Sequence, residues 1–247
     1  MMRIGLFTDA HFAEGLTANK TRMCWKSLDK VKRLLAAFAG MDFAVQLGDL
    51  INACGDPDKD MENIRKMQHV LAEGGIECFG VLGNHDVESA RKAVFLPGHA
   101  RGYYHFDREN VRFIVLDGNF TSEMISYEDA EWDWTDSYIP NEQLAWLADT
   151  LAQTEGKAVI LCHQNLDARA NDPHVVKNSE EARRILEESG KVIAVIQGHC
   201  HSGCFQVINS IPYYTLKALC EGEAIPYAEA VIDGNGIRVV EKELTKE

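Results

Sequence analysis

The chain is poor in positive charge, in proline and in long apolar runs, and each shortage excludes something. Its 25 Lys and Arg stand against 38 Asp and Glu, a net charge of −13. Such a surface repels a phosphate backbone at long range, which excludes broad electrostatic binding of nucleic acid and docking on anionic lipid. No stretch reaches the roughly 18 consecutive apolar residues of a membrane helix, and the start of the chain runs straight into a strand-like segment, so neither a membrane span nor a signal peptide is expected. Cysteine pairing is also missing as a pattern: seven cysteines, an odd number without any CxxC spacing, do not form a secreted disulfide framework and fit a reducing cytoplasm. With only 6 Pro and 46% hydrophobic residues the chain is not disordered, and 247 residues suffice for a well-cored domain.

What is present is an alternation of strand-like and helix-like segments. Residues 3–9 form a short apolar run ending in polar residues. In residues 21–39, Met23, Leu28, Val31, Leu34, Leu35 and Phe38 recur at helical spacing, with Gly40 placed to end the helix. A strand at 43–47, a helix at 58–73 and a strand at 76–82 follow, a βαβαβ beginning. Residues 103–106 and 111–116 predict an antiparallel hairpin, so the sheet structure is mixed. Residues 118–140 are irregular. A helix at 141–153, strand at 158–162, helix at 179–188 and strand at 192–196 resume the alternation. Residues 204–243 predict three or four short strands with a turn at Asn235 and Gly236. Without a linker or repeat, one α/β domain over residues 1–247 is expected, with two sheets or one large mixed sheet.

Five strand ends carry residues that bind divalent metals: Asp9-Ala10-His11, Gly48-Asp49, Gly83-Asn84-His85-Asp86, His163, and Gly198-His199-Cys200-His201. Loops at strand ends are where α/β folds build sites. Asp9, His11, Asp49, Asn84, His163, His199 and His201 mix nitrogen and oxygen donors, which suits Mn²⁺, Fe or Zn²⁺ better than Ca²⁺ or Mg²⁺. Seven donors exceed what one ion takes while keeping an open position, and they suit two ions sharing a carboxylate. Two cations roughly 3.5–4 Å apart lower the pKa of a bridging water and neutralise phosphate oxygens, so hydroxide can attack phosphorus without a protein nucleophile.

These blocks, in this order, resemble the calcineurin-like metallophosphoesterases, whose pattern is DxH, GDx, GNH(D/E), a lone His and GHxH. The resemblance implies a four-layer α/β/β/α sandwich with two mixed β-sheets. It implies that Asp9, His11 and His201 bind one metal, that Asn84, His163 and His199 bind the other, and that Asp49 bridges them. His85 is then the expected catalytic donor to the leaving oxygen, with Asp86 as the expected partner fixing its tautomer. Cys162, Cys200 and Cys204 lie beside or between these ligands; a thiolate ligand is conceivable, and packing around the ligands is the expectation. His69, His99, His105 and His174 match no block and are expected to be ordinary residues.

Two departures narrow the resemblance. After Gly48-Asp49 the Asp-Arg-Gly of protein phosphatases is missing and Asp86 stands where they have Glu. Gln164-Asn165 follows His163 where many cyclic-nucleotide enzymes have a further His and Pro. Residues 103–106, 112–117 and 143–147 are similar to runs in the small-molecule phosphodiesterase branch, including the manganese-dependent ADP-ribose/CDP-alcohol diphosphatases. The expected activity is therefore hydrolysis of a phosphodiester or pyrophosphate bond in a small, nucleotide-like molecule. The alternatives are a phosphomonoesterase of the same family and a non-catalytic scaffold. Tyr127, Trp132, Trp134 and Tyr138, in residues 119–139, are expected either to cover the substrate as a lid or to be pinned to the core.

Overall fold

A computed structural model describes residues 1–15, 21–169, 172–234 and 236–245. The first strand, β1 (Met2–Phe7), is followed by a 3-10 turn (Cys24–Lys26) and α1 (Ser27–Ala37), then β2 (Phe43–Gln46), α2 (Pro57–Glu73) and β3 (Cys78–Gly80). Two short helices, α3 (Asn84–Ser89) and α4 (Lys92–Phe95), lead to the hairpin β4 (Tyr104–Arg108) and β5 (Val111–Val115). Then come α5 (Asn141–Ala152), β6 (Lys157–Cys162), α6 (Ser179–Ser189), β7 (Val192–Gln197), β8 (Cys204–Ile208), β9 (Ile211–Thr215), β10 (Ile225–Asp233) and β11 (Gly236–Leu244).

The strands form two mixed sheets, ordered β11-β10-β1-β2-β3 and β4-β5-β6-β7-β9-β8. Strands β1, β2 and β3 run parallel in the first sheet, and β5, β6, β7 and β9 in the second, while hairpin partners supply the antiparallel edges. The sheets pack face to face through Ile4, Leu6, Val45, Phe113, Val159, Leu161 and Ile196. The outer face of the first carries α1 and α2 through Phe7, Leu34, Phe38, Ile64 and Met67. The outer face of the second carries α5 and α6 through Ile160, Val195, Leu147 and Leu186. This is the expected four-layer sandwich.

Local chemistry explains most boundaries. Helix α2 starts where Asp56 accepts hydrogen bonds from the Asp58 and Lys59 amides and Pro57 occupies the first turn. Helix α6 ends in Gly190 at φ 62°. Strand β1 lies so close to α1 that a Cβ at Gly5 would sit 2.5 Å from the Phe38 ring.

Three expectations need correction. Helix α1 begins at Ser27, not near Thr21, because residues 21–23 are drawn off to pair with a distant loop: the Met23 amide donates to Cys220 O and the Gly222 amide to Thr21 O, both at 2.8 Å. Helix α3 was not anticipated. The C-terminal strands β10 and β11 are nine residues each rather than short, since they pair with each other along their whole length. Asn235, half of the expected turn, lies outside the described residues.

Candidate metal centre

The carboxyl ends of β1, β2, β6 and β7, and the loop after β3, converge at one end of the sandwich. Backbone bonds lace them: Asp9 N to Gly48 O (3.0 Å), His11 N to Asp49 O (2.8 Å) and Gly198 N to His163 O (3.0 Å). Three glycines permit this approach. A Cβ at Gly48 would lie 2.5 Å from His163 Nδ1, one at Gly83 2.1 Å from Asp49 Oδ1, and one at Gly198 2.1 Å from Thr8 Oγ1. Asp9, His11, Asp49 and His199 all adopt left-handed backbone conformations, with φ between 47° and 68°. Such conformations are uncommon outside glycine and cluster at functional sites.

The side chains so placed are buried and close. His11 Nε2 lies 3.2 Å from His201 Nε2, 3.6 Å from Asp9 Oδ1 and 3.4 Å from Asp49 Oδ2. His201 Nε2 is 3.4 Å from Asp9 Oδ1, and His163 Nε2 is 3.2 Å from Asp49 Oδ2. Tetrahedral bonds of about 2.0–2.1 Å separate donors by about 3.3–3.4 Å, so these spacings fit metal cages. Asp49 Oδ2 belongs to both groups. Asp9 Oδ1, Asn84 Oδ1, His163 Nε2 and His199 Nε2 are all buried without a hydrogen-bond partner, a state costly enough that buried polar atoms seldom show it. The donor set therefore fits cations.

The electrostatics point the same way. Burial disfavours charge on every ring here, but the carboxylates reverse it at two of them: Asp49 lifts His163 to about 9, and Asp9 lifts His201 to about 11. Burial prevails at His11, which falls to about 4, and at His199, which falls well below its ordinary value. Asp9 and Asp49 stay ionised despite burial because imidazoles surround them.

His85, at the start of α3, places its ring 4.8 Å from that of His11. Its expected partner is corrected by the structure. His85 Nδ1 meets Glu88 Oε2 at 3.0 Å, one helical turn on, whereas Asp86 points inward to accept from the Leu50, Ile51 and Gly83 amides at 2.8, 3.0 and 3.0 Å. Asp86 thus ties the Asp49 loop to α3. Burial and the neighbouring Asp49 raise it to about 7. Although burial opposes it, Asp49 and Glu88 raise His85 above its ordinary value, which favours the donor form. The i,i+3 spacing of His85 and Glu88 would have revealed this pair had α3 been recognised.

A cleft of about 500 Å³ opens over these residues, lined also by Arg22, Trp134 and His174. Trp134 and His174 border it on the His199 side, with ring centroids 5.5 and 5.1 Å from that of His199. Arg22 borders it on the His201 side, 4.0 Å from Glu221, which holds His201 Nδ1 at 2.8 Å. His174 is thus no ordinary surface residue, and no motif marked it. The Tyr and Trp residues of 119–139 divide: Trp132 stacks on buried Tyr127 at 4.5 Å, Tyr138 is half-buried, and Trp134 lines the cleft. Of the cysteines, the sulfur that groups with metal-binding side chains among the described residues is Cys220, 4.0 Å from His201 Nδ1, rather than Cys162, Cys200 or Cys204. His69, His99 and His105 lie elsewhere, His99 and His105 against Tyr104 and Trp146.

The two sheets thus share one end, and the cation-ready cleft lies there. Residues 2–203 match the family model of the calcineurin-like phosphoesterases, and the chain belongs to that family of dinuclear-metal enzymes. Among solved structures it is similar to a dimetal phosphatase from Danio rerio, at 20% identity and TM-score 0.83, covering 99% of this chain and 98% of that one. It is also similar to a purple acid phosphatase from yellow lupin (13%, TM-score 0.65), covering 98% of this chain and 51% of that one. A third similarity is to GAP50, an anchor in the inner membrane complex of Plasmodium (15%, TM-score 0.59), covering 97% of this chain and 84% of that one. Comparison with curated protein sequences finds no match. No helix among the described residues is long and apolar enough to cross a membrane.

Proposed function

We propose that residues 1–247 act as one domain that hydrolyses a phosphodiester or pyrophosphate bond in a small, nucleotide-like molecule. The observation that carries this reading is the convergence of unpartnered buried donors around Asp49 Oδ2 beneath a cleft of about 500 Å³. Asp9, His11 and His201 would hold one ion, Asn84, His163 and His199 the other, and Asp49 both. Their nitrogen and oxygen chemistry favours Mn, Fe or Zn. When bound, two such ions supply a hydroxide nucleophile near neutral pH and offset the charge of the phosphate oxygens.

The remaining work falls to the chain's own groups. The His85 amide donates to Asp49 Oδ1 at 2.9 Å and so fixes which oxygen faces the shared position. His85, whose cationic form Asp49 and Glu88 favour, donates a proton to the leaving oxygen. Trp134 and His174 line the cleft near His199 and Arg22 lines it near His201, so a phosphate bound between them would meet side chains on both flanks, which suits a diester or pyrophosphate, with a group on each side, better than a monoester. Trp134 supplies a flat apolar face for a base. The cysteine pattern, odd in number and without CxxC spacing, supports a reducing cytoplasm.

The test is chelation followed by reconstitution with Mn²⁺, Fe²⁺ or Zn²⁺, then turnover of bis-p-nitrophenyl phosphate, p-nitrophenyl phosphate, cyclic AMP, ADP-ribose and CDP-choline, with Asp49→Ala as control. Metal-dependent cleavage of diesters or pyrophosphates, lost in the control, is the expected result. Faster cleavage of the monoester would move the reading to a phosphomonoesterase. A protein that binds no metal and turns over nothing would be a scaffold.

A further inference from the structure

The two halves of the centre are backed differently. An imidazole offers a metal its Nε2 lone pair only when the proton sits on Nδ1, and the group opposite Nδ1 sets both tautomer and basicity. For His163 that group is a neutral backbone carbonyl, Leu47 O, at 2.7 Å. For His201 it is a carboxylate, Glu221 Oε1, at 2.8 Å, while Nε2 faces Asp9 and His11.

Glu221 is not a chance neighbour. It lies in the loop between β9 and β10, and that loop is strapped to the segment before α1. The Met23 and Gly222 amides bond across the two segments, Arg22 forms an isolated β-bridge with Glu221, and Lys30 Nζ, from α1, donates to Leu219 O and Gly222 O at 2.7 and 2.8 Å. Lys30 is buried, so this clasp is part of the fold rather than a surface contact. The displaced start of α1 is the other side of the same arrangement.

We propose that Glu221 is a positioning residue which, through His201, selectively strengthens cation binding at the Asp9–His11–His201 position. This rests on the metal reading above. An anionic partner on Nδ1 makes Nε2 a stronger donor and fixes the orientation of the ring, and loss of such a partner weakens metal affinity about 10–100-fold. The Asn84–His163–His199 position, whose His163 is backed by a neutral carbonyl, does not depend on Glu221 and is left unchanged.

The experiment is Mn²⁺ titration of full-length chelated protein, read by calorimetry and by electron paramagnetic resonance, for wild type, Glu221→Gln, His201→Ala and the double variant. Glu223→Gln, which removes a nearby carboxylate paired with Lys26, controls for charge. Circular dichroism of the metal-free proteins checks that each is folded. Expected is one dissociation constant raised about 10–100-fold in Glu221→Gln, with an isolated-ion spectrum at Mn²⁺ concentrations where wild type gives a coupled pair. Glu223→Gln behaves as wild type, and Glu221→Gln has no further effect in the His201→Ala background. Unchanged constants, or equal weakening of both, overturn the role of Glu221 while leaving the centre intact. A wild type that binds no Mn²⁺ overturns the metal reading itself, and this inference with it.

Discussion

Gly83 offers the sharpest test of how the centre is held together. Its φ of −96° is open to any residue, so alanine there meets no backbone objection. The new Cβ would instead fall 2.1 Å from Asp49 Oδ1 and 2.2 Å from the Asp49 amide. Carbon cannot approach these atoms closer than about 3.0 Å, so the Asp49 carboxylate must move by about 0.9 Å. The carboxylate is hemmed in by His11 and His163, and the Gly83 amide is bonded to Asp86, so neither side can yield freely. A misplacement of about 1 Å costs on the order of 10²-fold in rate. Gly83→Ala should therefore lower kcat/KM by about 10²-fold or more and reduce bound metal measured by mass spectrometry. Gly55→Ala, at φ 78° with open space around its Cβ, should cost stability but leave metal content unchanged. Full metal content and near-normal turnover in Gly83→Ala would refute the claim that close backbone approach fixes Asp49.

Two further expectations follow from the cleft and its charges. Trp134→Ala should raise KM for a nucleotide substrate more than for a chromogenic diester, whereas Trp132→Ala, removing a ring stacked on Tyr127, should affect both alike; equal effects of Trp134→Ala on both substrates would sink the stacking role. In the metal-free protein His163 and His201 are raised from 6.5 to about 9 and about 11, so their contribution to stability is complete below pH 6.5 and is lost as pH rises through those folded values. Cations must displace the same protons. Between pH 6.5 and 9 the metal-free melting temperature should thus fall while Mn²⁺ affinity rises, and a parallel trend in the two measurements would contradict the assignment.

How much was legible in the sequence depended on whether a signal was local. The five blocks of candidate metal ligands sit at strand ends, and strand and helix periodicities there are strong, so the layers and the convergence of Asp9, Asp49, Asn84, His163 and His199 followed from one-dimensional pattern and family resemblance. The partner of His85 did not, because adjacency in sequence favoured Asp86 while a helical turn favours Glu88. Trp134 was within reach as one of the Tyr and Trp residues of 119–139, but nothing local separated it from Trp132. His174 and Arg22 lie in stretches without periodicity, and their place depends on loops meeting across the sheets. The start of α1 was misjudged for the same reason: its apolar spacing is continuous through Met23, but a pairing about 200 residues away along the chain removes those residues from the helix.

Asp9, His11, Asp49 and Asn84 follow the carboxyl ends of strands in one sheet, and His163, His199 and His201 those of strands in the other. Any ion held by both sets is also a rivet through the sandwich, joining segments as far apart as residues 9 and 201. Each rivet adds to folding stability by mass action, about 2.7 kcal/mol when free ion stands at a hundred times its dissociation constant. If both sites fill as proposed, the resistance of this protein to heat or proteolysis becomes a function of the metal in its surroundings, and starvation for that metal would reduce the amount of folded protein as well as its activity.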